Sequence, residues 1–189
     1  NPLRGQNNVQ GAADMGCQPH QGAGYFPVAD QKVQDFYAEK YGVVHPTKAG
    51  LKIPEIFDAA INKEIKGLWI IGEDIVQTDP NSNHVIDAMK ALDLLVVQEI
   101  FMSETAKYAD VVLPGTTFLE KDGTFTNTER RVQRVNKAAE PLPGTKPDGV
   151  IVTDMMQRLG YDQKTYDADE VLAEIADVVP FFKGITRER

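Results

Sequence analysis

Cysteine and histidine are scarce in this sequence. The 189 residues contain one cysteine, Cys17, which cannot form an internal disulfide or supply a cysteine-rich zinc or iron–sulfur site. The three histidines, His20, His45 and His84, are far apart and lack the His-x-x-x-His spacing of helical metal ligands. We therefore expect no metal ion to be held by this chain alone.

Other absences exclude whole classes of function. No run of about 18 apolar residues is present, so we expect no membrane span. The formal net charge is -8, which disfavours nucleic acid as a partner because an acidic surface repels phosphates. Neither a G-x-G-x-x-G segment nor a Walker motif is found, so an ordinary NAD or ATP site is not supported.

What is present is the pattern of an α/β protein. The hydrophobic content of 42% suits one globular domain with a core and a small appendage. Three short apolar runs predict buried strands: "GLWII" (67–71), "LLVVQ" (94–98) and "DVVLP" (110–114). Helical patterns over 80–92 and 103–109 separate them. Strands that alternate with helices predict a three-layer αβα sandwich with a mainly parallel sheet.

The remaining segments are assigned more coarsely. Residues 1–28 are rich in Gly, Asn, Gln and Pro and are predicted to be loop, with a possible short helix around 8–15. Helices are predicted over 31–41 and 53–65. The central sheet is expected within 65–118, a hairpin-like excursion within 119–140, and C-terminal helices within 147–180. No internal repeat is visible.

Ligands of open parallel sheets bind beyond the carboxyl ends of the strands, so the residues that follow each strand are candidate binding residues. They are Gly72, Glu73, Asp74 and Thr78 after the first strand, Gln98 and Glu99 at the second, and Gly115, Thr116 and Thr117 after the third. Carboxylate and amide groups could bind ribose hydroxyls or the edge of a guanine or pterin ring, and Gly115 could let backbone N–H groups approach a phosphate. The alternative is structural: Gly72 turns the chain and Asp74 caps a bend.

The stretch "RGQNNVQGAADMG" (4–16) contains one cation, Arg4, among uncharged amides. A guanidinium presents a planar fork to a carboxylate, and Gly5 leaves room for a close approach. Gln6 and its amide neighbours could line a polar pocket without neutralising the charge. The alternative is a surface arginine in a mobile loop.

A second cationic run, formed by Arg130, Arg131 and Arg134, lies beside Glu129. We interpret it as a solvated strand edge or an interdomain contact.

Several stretches together resemble the molybdopterin oxidoreductases, and within them the catalytic alpha subunits of molybdenum- or tungsten-dependent formate dehydrogenases. They are "NPLRGQNNVQGAADMG", "GLWIIGEDIVQTDPN", "LLVVQEIFMSETAKYADVVLPGTTFLEKDGTFTNTERRVQR" and "MMQRLGY". The resemblance covers nearly the whole chain. "RGQNNVQG" is the stretch that favours formate dehydrogenase over the nitrate-reducing relatives.

The resemblance implies that this chain is one α/β lobe of a larger subunit. In that family such a lobe holds one of two molybdopterin guanine dinucleotides, on a molybdenum or tungsten centre. Carried over by motif, Arg4 corresponds to the arginine that orients formate, and Gln6 to a residue near the pterin. The nucleotide end would be held by Gly72, Asp74, Thr78, Gln98, Gly115 and Thr116.

Some family features are missing from this sequence. The Cys-His or selenocysteine-His ligand of the metal, the cysteine cluster of the [4Fe–4S] centre, the second dinucleotide lobe and the C-terminal β-barrel are not found. We therefore expect a fragment or one piece of a split enzyme, inactive alone, whose partners are the rest of the subunit and electron-transfer subunits with iron–sulfur clusters. The expected compartment is the cytoplasm, with the periplasm as the alternative. Other functions remain open: conversion of nitrate or another oxyanion, or a non-catalytic scaffold of the same fold.

Overall fold

The structure, a computed structural model, describes residues 5–186. The α-helices are α1 (Val9–Asp14), α2 (Gln31–Tyr41), α3 (Ile53–Ile61), α4 (Ile75–Thr78), α5 (Ser82–Ala91), α6 (Asp148–Arg158) and α7 (Ala168–Val178). The strands are β1 (Gly67–Ile71), β2 (Leu94–Glu99), β3 (Val111–Pro114), β4 (Gly123–Thr126) and β5 (Val132–Val135). Short 3₁₀ turns lie at Ala23–Tyr25, Thr105–Tyr108, Phe118–Glu120 and Pro180–Phe182.

The described residues form two compact units. The sheet unit consists of residues 52–121 and 137–166, and it contains β1 to β3 with α3 to α6. The hairpin unit consists of residues 5–51, 122–136 and 167–186, and it contains β4 and β5 with α1, α2 and α7.

The sheet of the sheet unit is parallel, with the strands in the order β1-β2-β3. Gly67 of β1 lies opposite Leu94 of β2, and Val96 of β2 lies opposite Val111 of β3. All three strands therefore run in one direction, and their carboxyl ends meet at one edge. The predicted parallel sheet is confirmed.

One face of this sheet carries the main core of the unit. Leu95 and Val97 project from β2 to the same side because side chains alternate along a strand, and they are almost completely buried. They pack with Phe57 of α3 and with Val85 and Met89 of α5. Burial of each large apolar side chain contributes about 1.5–3 kcal/mol, so this face fixes the helices on the sheet.

The opposite face is met by α6. Gln98 points away from the core that contains Val97, and its amide nitrogen donates a hydrogen bond to Asp148 in the first turn of α6. Helices therefore lie on both faces of the sheet, as the predicted αβα arrangement requires.

The hairpin unit is built around an antiparallel pair. Gly123 of β4 lies opposite Val135 of β5, and Thr126 lies opposite Val132. Its separate core is formed by Val33 and Tyr37 of α2 with Val178, Val179 and Phe182 from the end of α7 and the turn after it. A two-stranded hairpin is marginal alone, so we infer that the surrounding helices support it.

Local structure departs from the predicted elements in three places. The helix predicted over 53–65 ends at Ile61, and Lys63 then takes a positive φ of 62°, which no α-helix accommodates. The helix predicted over 103–109 is a 3₁₀ turn at Thr105–Tyr108. The short helix α4 after β1 was not predicted, because four residues carry too little periodicity to be recognised.

Candidate cofactor-binding site

The carboxyl edge of β2 and β3 brings three of the predicted binding residues together. Gln98 lies near the end of β2, while Gly115 and Thr116 follow directly after β3. The Gly115 N–H donates to the Glu99 carbonyl at 3.0 Å, which extends the strand pairing by one bond. A Cβ atom on Gly115 would lie 3.0 Å from an Asp148 oxygen, so glycine is what permits this close approach.

Asp148 is the centre of the cluster. Its Oδ1 accepts a hydrogen bond of 2.8 Å from Gln98 Nε2, and its Oδ2 is paired with the Lys121 ammonium. Lys121 also donates to the Thr116 carbonyl at 3.3 Å. The Asp148 side chain is 39% exposed, so its carboxylate is both held in place and accessible.

Two acceptor atoms of this cluster have no partner among the described residues. They are Oε1 of Gln98 and Oγ1 of Thr116, whose residues are 1% and 3% exposed. A buried polar atom without a partner costs about 1–3 kcal/mol. Such atoms are uncommon in structures, and a functional role is one explanation for them.

Sequence reasoning did not identify Asp148 or Lys121. Asp148 lies 50 residues after Gln98, and it has the ordinary appearance of an acidic residue in the first turn of a helix. No local pattern signals the contact, because it depends on α6 crossing the face of the sheet that carries Gln98.

The loop after β1 contains the other predicted binding residues of the sheet unit. Gly72 has a positive φ of 64°, which suits glycine, and its N–H donates to the Gln98 carbonyl at 2.9 Å. Thr78 is exposed and its hydroxyl donates to the Glu73 carboxylate. The loop therefore presents a threonine and a carboxylate to solvent beyond the end of β1.

Asp74 stabilises the neighbouring 3₁₀ turn. Its Oδ1 accepts hydrogen bonds from the backbone N–H of Thr105 at 2.9 Å and from the Thr105 hydroxyl at 2.8 Å. Its Oδ2 accepts hydrogen bonds from the Gln77 side-chain amide at 2.7 Å and from the Glu104 N–H at 3.3 Å. Burial disfavours its charged form, but these hydrogen bonds outweigh burial and lower the pKa of Asp74 below its ordinary value. Asp74 thus joins the loop after β1 to the loop after β2.

The remaining two predicted residues belong to the N-terminal stretch. Gln6 is described, and it is exposed in the hairpin unit just before α1. Arg4 lies outside the described residues, so its assignment stays a prediction.

The second cationic run has specific contacts. The Arg130 guanidinium lies over the rings of Tyr25 and Phe181, at 5.6 Å and 5.1 Å from their centroids. Its Nε is 3.7 Å from the buried carboxylate of Asp14. Arg130 therefore belongs to the internal packing of the hairpin unit as well as to its surface.

Residues 5–186 contain neither a cluster of metal-ligating side chains nor a membrane-spanning helix. No group of three or more His, Cys, Asp or Glu side chains is placed to hold a metal ion. No described helix is both long and apolar enough to cross a membrane.

Comparison with known proteins identifies the family to which this chain belongs. The family model described as molybdopterin oxidoreductase matches residues 4–158. The chain is 49% identical over 195 residues to the F420-dependent formate dehydrogenase subunit alpha of Methanocaldococcus jannaschii. It is 44% identical over 191 residues to the F420-dependent formate dehydrogenase 1 subunit alpha of Methanococcus maripaludis. Both alignments cover 100% of this chain.

These relatives are much longer than this chain. It spans 28% of each archaeal alpha subunit, and 19% of a relative from Staphylococcus haemolyticus to which it is 46% identical. Among solved structures, the acetylene hydratase of Pelobacter acetylenicus superposes with a TM-score of 0.59 over 82% of this chain and 22% of its own, at 20% identity, which shows a shared fold. The chain therefore belongs to the molybdopterin oxidoreductase family, with the α/β fold that its sequence predicts.

Proposed function

We propose that this chain is part of the catalytic subunit of a formate dehydrogenase. The two archaeal relatives that it matches along its whole length are named as alpha subunits of formate dehydrogenases. The stretch "RGQNNVQG" at its start supports the same substrate. The whole subunit would oxidise formate to CO2 and pass two electrons onward.

The proposed role of the sheet unit is to bind one molybdopterin guanine dinucleotide. A guanine edge offers N–H donors and needs acceptors, and the Asp148 carboxylate is an exposed acceptor held by Gln98 and Lys121. The unpartnered oxygens of Gln98 and Thr116 lie buried in the same cluster. The accessible Asp148 carboxylate, held at the carboxyl edge of the sheet, is the observation that carries the proposal.

Other residues would complete the nucleotide site. Gly115 keeps the turn after β3 free of a side chain, so a ligand can approach the backbone beside Asp148. Gly72 and Thr78 would border the site from the loop after β1. Asp74 would hold that loop in place through the hydrogen bonds that it accepts from Thr105 and Glu104.

Substrate orientation is assigned to the N-terminal stretch. Arg4 would form a bidentate, charge-assisted contact with the formate carboxylate, and Gln6 would lie near the pterin. The bound molybdenum or tungsten cofactor would supply the two-electron chemistry. We propose that the rest of the catalytic subunit provides the metal ligand and a [4Fe–4S] cluster, that iron–sulfur subunits accept the electrons, and that the isolated chain is inactive.

The test is replacement of Arg4 in the complete enzyme. Loss of a charge-assisted contact to a small anion costs about 2–5 kcal/mol, so Arg4→Ala should lower kcat/KM for formate by roughly 30-fold or more. Arg4→Lys should recover only part of the loss, because an ammonium lacks the planar fork. Arg158→Ala is a matched control, since Arg158 is exposed at the end of α6.

Unchanged formate kinetics in Arg4→Ala would refute the role of the arginine. Turnover of nitrate instead of formate by the wild-type enzyme would favour an oxyanion-converting relative. Failure of the wild-type subunit to retain molybdenum, tungsten or guanine nucleotide would favour a non-catalytic scaffold.

A further inference from the structure

Asn8 is in an unusual conformation for the residue that begins a helix. It is the N-cap of α1, and its carbonyl accepts the Ala12 N–H at 3.0 Å. An N-cap asparagine normally has extended dihedrals, and its side chain bonds to the first turn of its own helix. Asn8 instead has φ 58° and ψ 14°, and its side chain makes no cap hydrogen bond.

The side chain of Asn8 bonds to the hairpin. Its Oδ1 accepts the backbone N–H of Thr126 in β4 at 2.9 Å, across 118 residues of sequence. Thr126 is 4% exposed, so its N–H would otherwise be buried without a partner. The left-handed conformation of Asn8 therefore accompanies a contact between α1 and β4.

The neighbouring glycine makes this contact possible. A Cβ atom on Gly11 would collide with the Asn8 side chain, and it would lie 3.3 Å from Thr126 Cβ. Helix α1 thus lies close against β4 along its first turn.

The other end of α1 is also held. Asp14 is completely buried, and its Oδ1 accepts hydrogen bonds from Gln10 and from the Tyr25 hydroxyl, both at 2.7 Å. With both ends fixed, α1 cannot pivot on the hairpin unit. The direction in which the chain leaves the start of α1 is therefore set at Asn8.

We propose that Asn8 is a positioning residue for the formate-binding segment. The segment that precedes it in sequence contains Gln6 and Arg4, so this inference rests on the proposed function. Strained backbone conformations that persist are frequently found at functional sites. The hydrogen bond from Thr126 and the left-handed backbone of Asn8 fix the start of α1 against the β4–β5 hairpin.

The experiment separates the hydrogen bond from the conformation, in the complete enzyme. Asn8→Gly keeps the left-handed backbone accessible and removes the bond, Asn8→Ala removes both, and Asn8→Asp keeps an acceptor in a residue that tolerates this conformation. Since small misplacements of an orienting group can cost up to about 100-fold, we expect Asn8→Gly to lower kcat/KM for formate roughly 10-fold. Asn8→Ala should lower it further, and Asn8→Asp should restore at least about half of it.

A second readout does not depend on turnover. Hydrogen exchange of a peptide covering residues 5–16 should be faster in Asn8→Gly than in wild type, with metal content unchanged. Asp30→Ala is the control, because Asp30 is an ordinary N-cap of α2 that bonds to the Lys32 N–H at 2.9 Å. It should cost stability without changing formate kinetics.

Two results would overturn the inference. One is wild-type exchange and wild-type kcat/KM in Asn8→Gly; the other is an equal kinetic loss in Asp30→Ala. If Arg4→Ala lowers kcat/KM while Asn8→Gly does not, only the role of Asn8 fails. If Arg4→Ala has no effect, the proposed role of Arg4 fails, and the exchange measurement still decides whether Asn8 fixes residues 5–7 at the start of α1.

Discussion

The contact between Gln98 and Asp148 allows a quantitative test of the candidate site. In the wild-type protein one end of the Gln98 amide is bonded to Asp148, while the other has no partner among the described residues. Asp148→Ala would leave both ends of a nearly inaccessible amide without a partner. The newly unpaired donor costs about 1–3 kcal/mol, and the partly exposed pair with Lys121 adds less than about 1 kcal/mol.

Gln98→Leu should behave differently. It removes the bond to Asp148, which contributes about 1.5–3 kcal/mol. It also removes the unpartnered oxygen, which relieves about 1–3 kcal/mol, and leucine occupies a similar volume. We therefore expect a free energy of unfolding within about 1 kcal/mol of wild type. In the Gln98→Leu background, Asp148→Ala should cost less than about 1 kcal/mol, because only the pair with Lys121 is lost. The coupling energy should therefore be roughly 1–3 kcal/mol.

The assay is urea unfolding followed by the fluorescence of Trp69, the single tryptophan, which lies in β1 of the same sheet. The cycle requires wild type, both single variants and the double variant. Asp148→Ala that costs the same in both backgrounds would refute the reasoning, because the amide would then not depend on Asp148. In the complete enzyme, a nearly neutral Gln98→Leu should still lose bound guanine nucleotide if this cluster is the nucleotide site.

Further predictions concern Asp74 and two glycines. The pKa of Asp74 is lowered in the folded state. Its contribution to stability is therefore complete above the unfolded pKa of about 3.9 and disappears as the pH falls through the folded pKa. The difference in unfolding free energy between wild type and Asp74→Asn should shrink below about pH 4, and a difference that stays constant would contradict this. Gly16→Ala should cost at least about 3 kcal/mol in chemical denaturation, since Gly16 has φ 76° and its added Cβ would collide with the backbone of Gly22. Gly42→Ala is the control, because Gly42 has φ 68° but open space around it, and its expected cost is about 1 kcal/mol. Equal losses of unfolding free energy in the two variants would show that the collision at Gly16 is relieved.

The strands of the sheet unit were predictable because the signal is local. "GLWII" and "LLVVQ" are short, β-branched and apolar on both faces, which is the pattern of a strand covered by helices on both sides. The carboxyl ends of parallel strands meet at one edge, so the sequence alone predicts that Gln98 and Gly115 lie near each other. The exact length of α3 was less accessible, because one positive φ at Lys63 ends it.

The partners of the site residues were not predictable in the same way. Asp74 was a candidate ligand or a cap. Only the structure shows that its oxygens accept hydrogen bonds from the backbone N–H groups of Thr105 and Glu104, at the start of the 3₁₀ turn. The sequence also gives no sign that the Asn8 side chain bonds to Thr126 instead of to its own helix. An asparagine before a helix predicts an ordinary N-cap.

The sequence by itself determined the α/β class, the parallel sheet and the family resemblance, because these depend on residue periodicity and on short contiguous motifs. Only the tertiary structure decided that Asp148 and Lys121 join Gln98, and that Asn8 is bound to the hairpin. Such contacts join residues 50 or 118 positions apart. Their energies depend on burial and on the direction of single donor and acceptor groups, which exist only once the chain has packed.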